Sequence, residues 1–252
     1  MKKFKKNKKS KKNILILIFG LIILAVIIAL FKFPKPEEKD FYTLDPRNNK
    51  IKETSIGDSK AYAWLRVQGT DIDTPIVSLT NSLDEDIKAD YLWTSAYYEE
   101  GENRKVIYGH NIKNVSSYPD IVNKEHFRFE QLVSFVYYEF AKENLYIQYS
   151  DENEEALYKI YAVTFNNIGD EYGQSYKKEE LDNYIKDVKY NSIYNYDVDV
   201  NKDDELISLI TCTRYFGAFE KTQFKVDARR VREKEKISNY SVETNSNYDI
   251  IK

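Results

Sequence analysis

The sequence predicts a mainly β domain, a barrel or sandwich carrying inserted helices, preceded by one N-terminal transmembrane helix. Three observations carry that prediction. Short β-branched and aromatic runs bounded by Asn, Asp, Gly or Glu clusters recur through residues 61–232, and only two stretches there show helical spacing. Residues 14–31 form an uncharged, almost wholly apolar run long enough for a slightly short membrane span. A hydrophobic content of 42% over 252 residues is enough for a proper core, and 22 tyrosines favour strands with half-apolar surfaces.

Taken in order, residues 1–12 are a basic segment holding eight lysines. The apolar run that follows lies within an anchor at 13–33, and the lysines keep its N-terminal side in the cytoplasm. Phe31-Lys32-Phe33-Pro34-Lys35-Pro36 offers no small-x-small cleavage site, so an uncleaved anchor is expected rather than a removed signal peptide. The bulk of the chain is then extracellular. With eight lysines set aside from a net charge of −3, that bulk is acidic, which excludes nucleic acid as its partner.

Residues 34–60 read as a linker and approach segment. Ala63–Val67 and Thr74–Val77 are extended runs separated by the turn residues Gln68-Gly69-Thr70-Asp71. Further strands are expected at Lys105–Tyr108, Leu145–Tyr149, Leu157–Phe165, Glu205–Thr211 and Gln223–Val231. Helices are expected over Lys124–Ala141 and Lys177–Val188, the second with Leu181, Tyr184, Ile185 and Val188 at helical spacing. The tail, 233–252, is polar, Asn/Ser-rich and expected to be loose.

Chemistry is concentrated in few residues. Cys212 is the only cysteine, so no internal disulfide forms, and His110 and His126 are the only histidines. His110 follows the apolar strand Val106-Ile107-Tyr108 and a glycine expected to let the chain turn; Cys212 closes Leu206-Ile207-Ser208-Leu209-Ile210-Thr211. Two adjacent strands ending at one rim would bring thiol and imidazole together across 102 residues of sequence. On residue types alone, an inert buried thiol and two unrelated strand ends remain open readings. His126, among Glu125, Arg128 and Glu130, reads as a surface residue, and no second His or Cys stands near it to hold a metal. The acidic runs Asp84–Asp86, Asp151–Glu155 and Asp203–Glu205 read as solvated turns; no metal and no cofactor is expected.

A strand closed by Tyr108-Gly109-His110-Asn111 and another closed by Leu209-Ile210-Thr211-Cys212 resemble the sortases. The opening Trp64–Val77 stretch, the Asp90-Tyr91-Leu92 segment and a helix before the cysteine strand are most similar to class B, over roughly residues 60–232. The resemblance implies a closed eight-stranded barrel and a membrane-bound cysteine transpeptidase of Gram-positive bacteria. Such an enzyme cuts a C-terminal sorting signal of secreted proteins and joins the new carboxyl end to an amine of the cell-wall precursor. By the same resemblance Cys212 attacks the scissile carbonyl to give a thioester, and His110 protonates the leaving amine and deprotonates the incoming one.

Leu92, Tyr108 and Thr211 would line the substrate groove. The family also uses an arginine on the strand after the cysteine, and here Gln223 stands at that position. Arg214 is the nearby substitute, sharing the nucleophile's side if the chain stays extended. Arg229 lies about six residues, or about 20 Å, further along the strand. Two other functions fit the same residues. A hydrolytic cysteine peptidase is one, although papain-like enzymes place the cysteine before the histidine. An inactive, anchored sortase-like binding module is the other, favoured by the displaced arginine.

Overall fold

The computed structural model describes residues 44, 47–53, 55–56, 59–78, 92–94, 103–123, 128–167, 176–217 and 222–248. The expected anchor at 13–33, the acidic run Asp84–Asp86 and His126 lie outside the described residues, as does the side chain of Leu92. Among the described residues no helix is long and apolar enough to cross a membrane.

The elements follow one another as α1 (Asn48–Glu53), β1 (Ser55–Ile56), β2 (Ser59–Val67), β3 (Asp73–Ser78), β4 (Leu92–Thr94) and β5 (Arg104–Tyr108). A 3₁₀ helix (Arg128–Val136), α2 (Tyr138–Glu143), β6 (Tyr146–Asp151), β7 (Glu155–Asn167) and α3 (Lys178–Tyr190) come next. The last are β8 (Tyr194–Tyr196), β9 (Leu206–Thr213), β10 (Thr222–Arg230) and β11 (Val242–Thr244). Over its described residues, from Arg128 on, the expected first helix is a 3₁₀ segment followed by a short α-helix. Its polar Gln131 and Ser134 are buried beside Phe129, Leu132, Val133 and Phe135, so the segment is packed nearly all round instead of showing one apolar stripe.

The main sheet runs β1-β2-β3-β4-β5-β9-β10-β7-β6, and β6 pairs back onto β2. The expectation of a regular closed eight-stranded barrel needs correction. Among the described residues β4 is three residues long and pairs with β5 through Trp93↔Tyr108 and Thr94↔Ile107. The sheet curls as an uneven half-barrel rather than a closed cylinder. Gly69 makes the β2–β3 turn possible: it has φ +75°, and a Cβ there would lie 2.1 Å from Asn144 Oδ1.

β7, β9 and β10 are buried on both faces, which is why they read as nearly continuous apolar runs. One face meets the core around Ile107, Leu209, Phe224 and Val226. α3 covers part of the other, burying Leu181, Tyr184, Ile185 and Val188 as their spacing predicts. Beneath it lies a buried polar network: Ser208 and Tyr184 both donate to Asp227 Oδ1, Lys225 donates to the Tyr184 hydroxyl, and Arg104 donates to Ser208.

The 233–248 segment, expected to be loose, is tied to the sheet. β11 pairs with β8. Tyr240 donates to the carbonyls of Leu145 and Ile160, and Glu235 accepts from Arg229 and Lys159. Composition pointed the other way because each anchoring partner lies far away in sequence.

Candidate active site

β9 is buried along its length except at Cys212, where it opens in part to solvent. Strand alternation sets Cys212 on the face of Ile210, which packs with Val106 and Tyr108 in a small cluster apart from the main core. Burial pushes the Cys212 thiol up from its ordinary pKa, and the positive charge of Arg214 works against that rise. A thiol held in this way is mostly protonated at neutral pH, so a base must take its proton before it can attack.

β5 leads to His110. It runs parallel to β9 with Arg104 opposite Leu206 and Tyr108 opposite Ile210. The pairing continues past the end of β5: Gly109 N donates to Ile210 O at 3.1 Å, and Thr211 Oγ1 donates to Gly109 O at 2.8 Å across 102 residues of sequence. His110 and Cys212 each follow two residues after the last pair of the ladder, Tyr108 and Ile210. His110 is exposed, so its ring belongs to the open rim of the wall. Gly109 does not turn the chain as its residue type suggests; its φ is not positive, and it prolongs the ladder instead.

Beyond the histidine the backbone is held from inside. Asn111, itself buried, donates to Cys212 O at 3.0 Å and to Asn114 O at 2.9 Å, while its Oδ1 accepts from Asn114 N. Asn114 donates to the carbonyls of Asp120 and Glu130. The buried Glu130 carboxylate accepts from the main-chain N–H groups of Ile112 and Lys113. Three polar side chains thus fix a loop that carries no regular structure, and with it the backbone next to His110.

The other expected site residues fall in different places. Tyr108 is buried in that small cluster, paired with Trp93 of β4. Thr211 points to the face opposite Cys212, is buried, and commits its hydroxyl to Gly109. Leu92 pairs with Ile76 in β4, next to β5 in the sheet order. β9 ends at Thr213, where Tyr215 N donates to Thr213 Oγ1 and Gly217 N to Arg214 O. The chain therefore turns at Arg214, and the argument that alternation alone puts Arg214 on the nucleophile's side is corrected. Arg214 is exposed on a turn whose Tyr215 and Phe216 rings pack on Phe165, and its charge still reaches the thiol. Arg229 is engaged elsewhere, forked onto Glu235.

Gln223 faces Cys212 directly in the β9–β10 ladder. No family model matches this chain, and no curated protein matches it. Solved structures do. It is similar to sortase B of Clostridium perfringens, at 21% identity over 73% of this chain and 99% of that one, with a TM-score of 0.59. It is similar to a Staphylococcus aureus sortase B–substrate complex, at 15% identity over 75% and 86% of the two chains and a TM-score of 0.58. Sortase B of Listeria monocytogenes aligns at 21% identity over 73% and 98%, with a TM-score of 0.53. The fold is that of the class B sortases.

Within this sortase-type fold, Cys212 and His110 were selected by the two motifs that carry the resemblance, since residue types at two strand ends left other readings open. Asn111, Asn114 and Glu130 were not selected, because their work is to satisfy backbone groups that only the folded loop brings to them. Asn111 did stand in the motif that carried the resemblance, and its position after the histidine was the one available signal.

Proposed function

We propose that this chain is a membrane-anchored cysteine transpeptidase of the sortase type. It cleaves a C-terminal sorting signal of a secreted protein and transfers the acyl group to an amine of the cell-wall precursor. The observation that carries this reading is the parallel β5–β9 register, which ends at Tyr108↔Ile210, two residues before His110 on one strand and two before Cys212 on the other. The thiol occupies the one position of β9 that opens to solvent, beside a base on the same rim.

In the proposed reaction His110 takes the thiol proton as Sγ attacks the scissile carbonyl, and gives it to the departing amine as the C–N bond breaks. The thioester left on Cys212 is then aminolysed, with His110 deprotonating the incoming amine. Arg214 supplies positive charge at the rim as negative charge develops. Tyr108 and Leu92 contribute to the wall of the groove, and Thr211 acts through its hold on Gly109. A run of eighteen apolar residues after eight lysines supports a single-pass anchor with the catalytic domain outside the cell.

The test uses the full chain in detergent, a library of N-terminally labelled peptides, and hydroxylamine as a small amine acceptor. Hydroxamate that forms only with the amine present and vanishes in Cys212→Ala is the expected result. Cleavage indifferent to the amine would make the chain a hydrolytic peptidase. Absence of any Cys212 adduct would leave an anchored binding module. For the anchor, protease added to intact cells should remove the domain while leaving the basic segment protected.

A further inference from the structure

Residues directly opposite in an antiparallel pair carry their side chains on one face with Cβ atoms about 4.5–5.5 Å apart. Gln223 and Cys212 are such a pair. The Gln223 side chain is only 6% exposed, and its Oε1 is sealed from solvent with no hydrogen-bond partner among the described residues. The next residues of β10 on that face are differently placed: Lys225 is bonded to Tyr184 and paired with Asp227. A buried amide oxygen left unmet costs roughly 1–3 kcal/mol. Among the buried polar atoms without a partner, this is the one in register with the thiol.

A side-chain amide carries a donor and an acceptor side by side. It therefore matches the C=O and N–H of one residue of an extended chain, which point to the same side of the strand. We propose that the Gln223 amide is a catalytic group that binds the acyl portion of the substrate, Nε2 donating to the scissile carbonyl oxygen and Oε1 accepting a backbone N–H of the same peptide. The inference rests on the acyl-transfer reading given above. In acylation the Sγ–C bond forms, the C–N bond breaks, and the thiol proton passes through His110 to the departing amine. Gln223 exchanges no atom; its donor bond strengthens as the carbonyl oxygen becomes an oxyanion. The division of labour with Arg214 follows from position, since Arg214 acts as a charge from the exposed turn and Gln223 as a fixed short-range donor in the wall.

The experiment compares Gln223→Ala and Gln223→Glu with the parent, as full chains in detergent, by hydroxamate formation on the best library peptide. Gln223→Ala should lower kcat by about 10²–10³-fold, the loss typical of one oxyanion donor. KM should move far less, and alkylation of Cys212 by iodoacetamide should keep its rate within about twofold, because thiol reactivity does not need the donor. Gln223→Glu keeps the size but replaces the donor by a carboxylate. It should lose at least as much as Gln223→Ala, with the deficit growing as pH rises through the carboxyl range. Retention of kcat within about threefold in Gln223→Ala would overturn the inference, since a true oxyanion donor contributes far more. So would a fall in kcat matched by an equal fall in alkylation rate or by a lower unfolding temperature, which is the mark of a structural role. If the parent forms neither hydroxamate nor a Cys212 adduct, the acyl-transfer reading fails and this inference falls with it; variants equal to an active parent sink the inference alone.

Discussion

The side-chain amide of Asn111 donates to the main-chain carbonyl of Cys212 at 3.0 Å, joining the residue after His110 to the backbone of Cys212. The same side chain donates to Asn114 O and accepts from Asn114 N. The segment that carries His110 is in this way tied to the Cys212 strand by a polar side chain belonging to neither residue.

Asn111→Ala should accordingly damage catalysis more than thiol chemistry. Displacing the His110 segment by a fraction of an ångström to an ångström costs up to about 10²-fold in rate. The expected outcome is a fall in kcat of that order with iodoacetamide alkylation of Cys212 little changed. Stability should drop by about 1–3 kcal/mol in urea melts, because the Asn114 and Cys212 groups lose their partner.

Arg214 makes a prediction about the thiol's titration. Burial raises the Cys212 pKa and Arg214 lowers it, so removing the cation leaves burial unopposed. The pH midpoint of Cys212 alkylation should lie above the roughly 8.5 of a free cysteine, and Arg214→Ala should move it higher still. At neutral pH the variant then alkylates more slowly. A midpoint that stays in place or falls would show that the Arg214 charge does not act on the thiol.

The buried network behind the site predicts a stability effect separate from catalysis. Asp227 is fully buried between Ser208, Tyr184 and Lys225, and Lys225 is 1% exposed. Asp227→Ala leaves Lys225 charged in the interior without its carboxylate, a loss of about 3–5 kcal/mol. Tyr184→Phe removes one hydroxyl and should cost about 1 kcal/mol. Urea unfolding of both variants measures the contrast.

Acid should loosen the C-terminal segment first. Arg229, helped by Lys159 and the Arg232 main chain, holds the Glu235 carboxyl far below the usual carboxylate range. With the folded pKa depressed, this contribution is complete above the unfolded value of about 4.3 and is lost as pH falls toward the folded one. Amide exchange in β11 and around Tyr240, corrected for intrinsic rates, should speed up on acidification before β7, β9 and β10 respond. Glu235→Gln should give the same local loosening at neutral pH.

Much of the β framework was legible because its signals are local. Val106-Ile107-Tyr108, Leu157–Phe165 and Leu206–Thr211 are strands buried on both faces, and they read as strands from β-branched and aromatic residues alone. The α3 helix announced itself by spacing. β4, β8 and β11 were not anticipated, since three residues carry too little periodicity to tell a strand from a loop. The 233–248 segment misled for the converse reason: Glu235 and Tyr240 look like solvated polar residues until Arg229, Leu145 and Ile160 are brought to them.

By itself the sequence determined which residues are able to do chemistry here: one thiol, an imidazole placed at a strand end, and no second cysteine to oxidise it into a disulfide. Residue type settles that, because nucleophilicity and basicity are properties of side chains. Only the tertiary structure decided who stands next to whom. The parallel β5–β9 register sets side by side the two strands that lead to His110 and Cys212, the turn after Thr213 takes Arg214 off the strand, and the β9–β10 pairing puts Gln223 opposite the thiol. Each of these is a contact across a sheet, set by hydrogen-bond register between segments distant in sequence, and such register is specified by the packing of the whole wall rather than by any one strand.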